Sequence, residues 1–194
     1  RPFSLWASDV SGRDQPGPGR LDAVLVARGL ARSRDQAREL IDAGVVLVDG
    51  QPARKPAQKV DSLQLVSLTR PAEPWVGRAA HKLVRAFELW AELGLTARDR
   101  RCLDVGASTG GFTQVLLTQE PAAVVALDVG HDQLVPSLAG DSRVTDLPGR
   151  NVRHVTPQEI GGPADLLVAD LSFISLTLVL GKFRELMRPG ADAV

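Results

Sequence analysis

The chain has 194 residues, 44% apolar and 24% charged, and its 23 Lys and Arg balance its 23 Asp and Glu. These values exclude disorder over the whole length, and the absence of an 18-residue apolar run excludes a membrane-spanning helix. A single cysteine, Cys102, excludes an internal disulfide framework and a cysteine-rich zinc site; with no long apolar core in residues 1–9, a cytoplasmic protein is expected.

Residues 1–19, with Gly12, Pro16, Gly17, Pro18 and Gly19, read as a flexible tail. A helix is predicted from Arg20, with Leu21, Val24, Leu25 and Val26 apolar and Gly29 as its stop. Ser33 caps a second helix, Arg34–Ala43, which buries Ala37, Leu40 and Ile41 and ends at Gly44. Val45–Val48 is a strand, Asp49-Gly50 a tight turn, and Lys59–Leu68 a further strand. This unit, residues 20–69, is small for an independent core and reads as a compact binding module. Residues 20–70 carry nine basic and six acidic side chains, whereas residues 71–194 carry twelve and fifteen. A basic front half suggests a polyanion partner. Arg20, Arg28, Arg32, Arg34, Arg38, Arg54 and Lys55 are the candidate contacts, because a planar guanidinium matches phosphate geometry.

The run from Arg20-Leu21-Asp22 and Leu25, through Ser33-Arg34 and Ala37, to Val46–Gly50 resembles the small RNA-binding domain named after ribosomal protein S4. That resemblance implies structured RNA as the partner, bound through phosphates and shape.

Residues 70–77 form a linker, and residues 78–194 a second domain. Its first helix, from Arg78 to about Leu93, carries Lys82. Strands at 101–105, 123–128, 143–147 and 165–170 then alternate with helices near 112–118, 131–139 and 175–187, which predicts an α/β fold with a parallel sheet. The run Leu103 to Phe112 follows the first strand and opens a helix. Its glycines, Gly106, Gly110 and Gly111, let backbone approach a ligand closely. No lysine follows, as a phosphate-binding P-loop requires. Ser108 stands where the dinucleotide fingerprint has its second glycine, which argues against a pyrophosphate. S-adenosylmethionine, with a carboxylate and an adenosine, fits better. Asp128, 22 residues after Gly106, suits a ribose diol but does not separate this ligand from NAD. Asp104 is placed to orient the loop amides or to receive an ammonium. Asp170 ends the fourth strand over the same crevice, and Ser175 is the expected cap of the following helix.

The runs GRAAHKL, CLDVGASTGGFT, VVALDVG with Gln133-Leu134, and DLLVADLSFISL are similar, in order and spacing, to hemolysin A-like (TlyA-type) rRNA methyltransferases. Those proteins join an S4-like domain to a Rossmann-like catalytic domain of the FtsJ type. The resemblance implies S-adenosylmethionine-dependent 2′-O-methylation of ribosomal RNA, on cytidine riboses, by a Lys-Asp-Lys-Glu tetrad. Lys82 and Asp170 match its first two members. The other two would fall beyond Val194, so the sheet is expected to be incomplete at its C-terminal side, with Asp192 opening a fifth strand. The resemblance also implies that Asp104, Gly106, Ser108, Thr109, Gly110, Gly111, Phe112, Asp128, Asn151 and Asp170 hold the cofactor. Departures are Gly77 for Ser, His131-Asp132 for Tyr-Gly, and a loop at 147–151 that keeps Asn151 but lacks Glu-Arg-Thr. The expected partners are ribosomal RNA or ribosomal subunits, with no metal and no membrane. A non-catalytic RNA-binding or ribosome-associated protein is the second reading. A membrane-active hemolysin is the third, and no strongly amphipathic basic helix supports it.

Overall fold

The computed structural model describes residues 18–172 and 174–194, so the tail expected over residues 1–19 lies almost wholly outside the described residues. The chain divides into two compact units between Pro74 and Trp75, inside the segment read as a linker.

The first unit runs β1 (Gly19–Arg20), α1 (Leu21–Ala27), α2 (Arg34–Asp42), β2 (Val46–Val48), β3 (Gln51–Pro52), β4 (Lys59–Val60) and β5 (Val66–Leu68). The Ser33 hydroxyl caps α2, accepting from the Gln36 N–H at 3.2 Å. Asp49 and Gly50 both have positive φ, +49° and +77°, which is the two-residue turn that matches strand twist between β2 and β3. Strands β3-β2-β5 form one antiparallel sheet, and β1 pairs with β4. The single strand expected over Lys59–Leu68 is instead two short strands joined by a turn. Leu21, Val24 and Leu25 of α1 pack with Ala37, Leu40 and Ile41 of α2 and with Val46, Val48, Val60 and Val66.

The second unit runs α3 (Ala80–Trp90), a 3-10 turn (Ala91–Leu93), β6 (Arg101–Val105), α4 (Gly111–Leu117), β7 (Ala123–Leu127), α5 (Pro136–Ala139), β8 (Val144–Leu147), β9 (Ala164–Ala169), a second 3-10 turn (Leu176–Leu178), α6 (Leu180–Leu186) and β10 (Met187–Ala193). The five strands are all parallel, in the order β10-β9-β6-β7-β8. Strand side chains alternate between two cores. Cys102, Val124, Leu166 and Val168 face α3 and α4, where Phe87, Val115 and Leu116 meet them. Leu103, Val105, Val125, Leu127 and Leu167 face the layer of Val179, Phe183 and Leu186. Each fully buried leucine of this kind contributes about 1.5–3 kcal/mol. Chain order reverses between β6 and β9, so the crevice beyond their carboxyl ends is a topological switch point, where ligands of such sheets bind.

Three expectations change. The helix read over 131–139 shrinks to Pro136–Ala139, because a residue before proline is pushed out of the helical region and Pro136 takes the first helical position. The helix read over 175–187 is a 3-10 turn followed by α6, and Ser175 caps neither; its hydroxyl pairs with that of Thr177 at 2.7 Å. The fifth strand begins at Met187, not Asp192, with its register broken between the two. Arg188 pairs with Asp165 at 2.8 Å, and Arg100 with Asp192, across that break.

Candidate functional site

The second unit gathers its polar residues at the switch point. Asp128 and Asp170 each stand one residue past a strand, β7 and β9. The Gly106–Gly110 loop lies between them. Asp128 clamps it, accepting the Ser108 N–H at 2.8 Å on one oxygen and the Gly130 N–H at 2.7 Å on the other. Ser108 is thereby held in the left-handed region, φ +47°, which costs a non-glycine residue about 1 kcal/mol or more. Gly106, φ +86°, needs its missing side chain: a Cβ there would lie 3.0 Å from the Asp170 carbonyl. Gly110, φ +100°, is equally constrained, with Leu134 Cδ1 2.7 Å from where its Cβ would be.

Asp104 lies on β6 beneath this loop, fully buried. One carboxylate oxygen accepts the Thr113 hydroxyl at 2.7 Å. The other is buried with no hydrogen-bond partner among the described residues. Burial pushes the carboxyl up to about 7, opposed by the Thr113 hydrogen bonds and reinforced by the charges of Asp128 and Asp170. Thr113 was not anticipated from the sequence; the available signal was a hydroxyl on the face of α4 that otherwise buries Val115 and Leu116.

Lys82, in the first turn of α3, meets Asp170 with Nζ 2.8 and 3.0 Å from the two carboxylate oxygens, across 88 residues of sequence. The pair is partly solvated, so its value lies in placement more than in stability. A cleft of about 370 Å³ opens here, lined by Gly106, Ser108, Thr109, Phe112 and Asp170 together with the 77–79 turn that leads into α3. Gly77 permits that approach, since a Cβ would meet the Thr109 hydroxyl at 3.0 Å. Phe112 serves mainly the core, where its ring is buried. Asn151 does not line the cleft: it is exposed and its side chain accepts the Arg153 N–H at 3.0 Å. Its neighbour Arg150 reaches the site only through a backbone bond to the Asp128 carbonyl, 2.8 Å. A second groove, about 400 Å³, is lined by Asp99, Arg100, Asp165 and Arg188 toward the amino ends of the strands. Its arginines are spent on Asp192 and Asp165, and ligand sites of parallel sheets lie at the other end. No group of three or more His, Cys, Asp or Glu side chains among the described residues is placed to hold a metal ion.

In the first unit, three of the predicted arginines converge on one carboxylate. Asp22 is fully buried and accepts Arg20 at 3.0 and 3.2 Å and Arg34 at 2.9 Å, with Arg38 at 3.8 Å. Each guanidinium keeps about half its side-chain surface in water, so the cluster is a fixed basic patch. Arg32 donates to the Glu73 carbonyl at 3.0 Å, and Arg54 and Lys55 are exposed. Arg28 departs from expectation. Its guanidinium donates to the carbonyls of Gln64, Ser62 and Asp61 at 2.7, 3.1 and 3.4 Å, and its Nε is buried, so it staples the β4–β5 turn instead of facing a phosphate.

The model of FtsJ-like methyltransferases matches residues 75–190, and that of the S4 domain matches residues 19–63. The 16S/23S rRNA (cytidine-2′-O)-methyltransferase TlyA of Mycobacterium tuberculosis is 57% identical over 162 residues, which are 83% of this chain and 59% of that protein. Hemolysin A of Brachyspira hyodysenteriae is 37% identical over 161 residues, 82% of this chain and 65% of that protein. The solved structure of a provisionally named hemolysin from Streptococcus thermophilus superposes with a TM-score of 0.61 at 33% identity, covering 93% of this chain and 65% of that one. The chain thus spans less than two thirds of the length of each of these proteins.

Proposed function

We infer, from the premise that this chain belongs to the FtsJ-like methyltransferase family and carries an S4 domain, that the protein is an RNA 2′-O-methyltransferase acting on ribosomal RNA. The observation that carries this reading is the Lys82–Asp170 pair at the mouth of the glycine-lined cleft. S-adenosylmethionine, when bound, supplies a methyl group on a sulfonium centre. The residues present fit such a donor. The unpartnered buried oxygen of Asp104 suits its ammonium, and the Asp128 carboxylate, whose oxygens each accept one backbone N–H and keep a further lone pair, suits its ribose hydroxyls. Gly106 lines the cleft, and its missing side chain lets the loop pack against the Asp170 carbonyl that closes it.

Lys82 and Asp170 then act on the acceptor ribose. Asp170 fixes the Lys82 ammonium through both oxygens. The ammonium can donate to the 2′ oxygen while an Asp170 oxygen accepts the hydrogen bond of the ribose hydroxyl, so the attacking lone pair is aimed and the hydroxyl proton leaves through Asp170 to water as the oxygen becomes methylated. Holding two reactants in line in this way is worth up to about 7–11 kcal/mol in favourable cases. Arg20, Arg34 and Arg38, with Arg32, Arg54 and Lys55, supply the sequence-independent grip on phosphates. A ribosomal RNA substrate, cytidine riboses in particular, and a cytoplasmic location follow from the family resemblance. The direct test is transfer of labelled methyl from S-adenosylmethionine to protein-free 16S and 23S rRNA by the gene product containing this chain. Label on a cytidine 2′ oxygen supports the reading. RNA binding with no transfer and no S-adenosylmethionine binding supports the non-catalytic alternative instead.

Asp104 adds a pH dependence. Its raised value means the carboxylate is half charged near pH 7, becomes fully charged well above it and is neutralised as pH falls below it. A neutral carboxyl no longer balances an ammonium, so S-adenosylmethionine affinity should fall by roughly tenfold between pH 8.5 and 6, about 1.4 kcal/mol. Calorimetry across that range checks it. Asp104→Asn should bind weakly and with a flat pH profile, and a flat profile in the unaltered protein would refute the role.

A further inference from the structure

A buried hydroxyl and a buried carboxylate meet beneath the cleft, and only half of the carboxylate is answered. Thr113 of α4 and Asp104 of β6 are 0% and 1% exposed. The Thr113 hydroxyl donates to one Asp104 oxygen at 2.7 Å. The second oxygen has no partner among the described residues. A helical threonine ordinarily returns its hydroxyl hydrogen to a carbonyl three or four residues back. Thr113 sends it to the neighbouring strand instead, and a hydroxyl has only one hydrogen to give. Stability alone does not call for this arrangement. Two apolar side chains of the same shape would leave no buried acceptor unanswered.

The place of the pair points to the methyl donor. Asp104 stands two residues before Gly106 and Thr113 two residues after Gly111, and both glycines line the cleft. We propose that Thr113 is a positioning residue for the donor: its hydroxyl fixes the Asp104 carboxylate in one orientation and keeps the second oxygen as the acceptor for the donor's ammonium. The proposal rests on the reading that S-adenosylmethionine is the donor. The same hydrogen bond governs when that acceptor is charged. Burial raises the Asp104 carboxyl, the Thr113 hydrogen bonds oppose it, and the charges of Asp128 past β7 and Asp170 past β9 reinforce it. Lys82 of α3 is held on Asp170. The Cys102 thiol, on the same strand as Asp104, is pushed up to about 12 by its burial and stays neutral.

The test is calorimetric titration of S-adenosylmethionine into the gene product containing this chain and into its Thr113→Val, Thr113→Ala and Thr113→Ser variants, from about pH 6.5 to 8.5, across the range where Asp104 titrates. Valine keeps the shape and removes the hydroxyl. Alanine removes it without crowding, and so reads the same loss should valine disturb the packing. Serine keeps the hydroxyl. The donor's own amine titrates alike for every protein, so the ratio of affinities at each pH reports on Asp104. Without the hydroxyl the carboxyl rises further, and less of it is charged at a given pH. Thr113→Val and Thr113→Ala should therefore bind about tenfold or more weakly at the acid end, the worth of a hydrogen bond to a charged group. Their deficit should narrow toward the alkaline end. Thr113→Ser should restore most of the affinity and the unaltered profile. A deficit of one size at every pH, or one that serine shares, would make Thr113 a packing residue and overturn the proposal, as would unaltered binding by Thr113→Val and Thr113→Ala. Absence of S-adenosylmethionine binding by the unaltered protein would instead remove the donor reading on which the proposal rests.

Discussion

Asp170→Asn should reduce methyl transfer by roughly a hundredfold or more while leaving RNA affinity unchanged, since misplacing a reacting group by about 1 Å already costs two orders of magnitude. The side chain keeps its shape but loses its charge. In the unaltered protein both carboxylate oxygens hold Lys82 Nζ, at 2.8 and 3.0 Å. The amide offers one acceptor and turns an NH₂ toward the ammonium, a donor against a donor. Lys82 is mostly exposed, so once released its long side chain samples many rotamers in water. Two functions are lost together: the hydrogen-bond acceptor for the ribose hydroxyl and the anchor for the cation beside it. The fold should not suffer, because a partly solvated pair contributes little to stability. Lys82→Arg should not rescue the rate, since a planar fork cannot reproduce a compact ammonium. Initial rates under saturating donor, with RNA affinity by filter binding, separate the outcomes. Loss of RNA affinity in proportion to rate would make Asp170 a binding residue and overturn its assignment.

Much of this site was legible because it is local or follows from strand ends. The run from Leu103 to Phe112 declares a strand, a close-approach loop and a helix within ten residues, and Asp128 and Asp170 need only the rule that parallel strands deliver ligands at their carboxyl ends. The Lys82–Asp170 meeting was readable only through family resemblance, because 88 residues separate the partners and no periodicity in either segment reports the other. The first unit concealed more. The alternation over Lys59–Leu68 looks like one strand, but its phase slips between Leu65 and Val66. Leu63 and Leu65 sit in one phase, Val66 and Leu68 in the other. A strand cannot change phase without turning its buried face outward, and the chain resolves the conflict with a turn that leaves the first pair in water. Arginines likewise show their charge in the sequence but not their partners. Arg28 reads like Arg34, yet one is consumed by carbonyls and the other faces solvent over Asp22.

Asp22 is where that hidden partnership should have its largest measurable effect on stability. Replacing it with alanine removes a fully buried carboxylate and leaves Arg20 and Arg34 without their shared partner, beside Arg38, which keeps its ion pair with Asp35 at 3.0 Å. Breaking a fully buried ion pair costs about 3–5 kcal/mol. Here the arginines keep water on about half their surface, so a loss of about 2 kcal/mol is expected. The pH dependence gives the mechanism away. The Arg20 hydrogen bonds, more than any other influence, hold the Asp22 carboxyl well below the usual carboxylate range against the opposing effect of burial, with Arg34 assisting. A depressed folded-state value stabilises the fold above the unfolded value of about 3.9, and that contribution is lost as pH falls below it. The difference between unaltered protein and Asp22→Ala should therefore be complete at pH 6 and shrink toward pH 3. Urea unfolding followed through the NMR methyl signals of Leu21 and Ile41, both buried in the core of this unit, reads the first unit alone. A difference that persists undiminished at pH 3 would assign the loss to packing and not to charge. RNA binding offers an independent check, because the Arg20 and Arg34 guanidinium groups without their common anchor must be ordered by the phosphates themselves, and the resulting entropy cost should weaken affinity even where the unit stays folded.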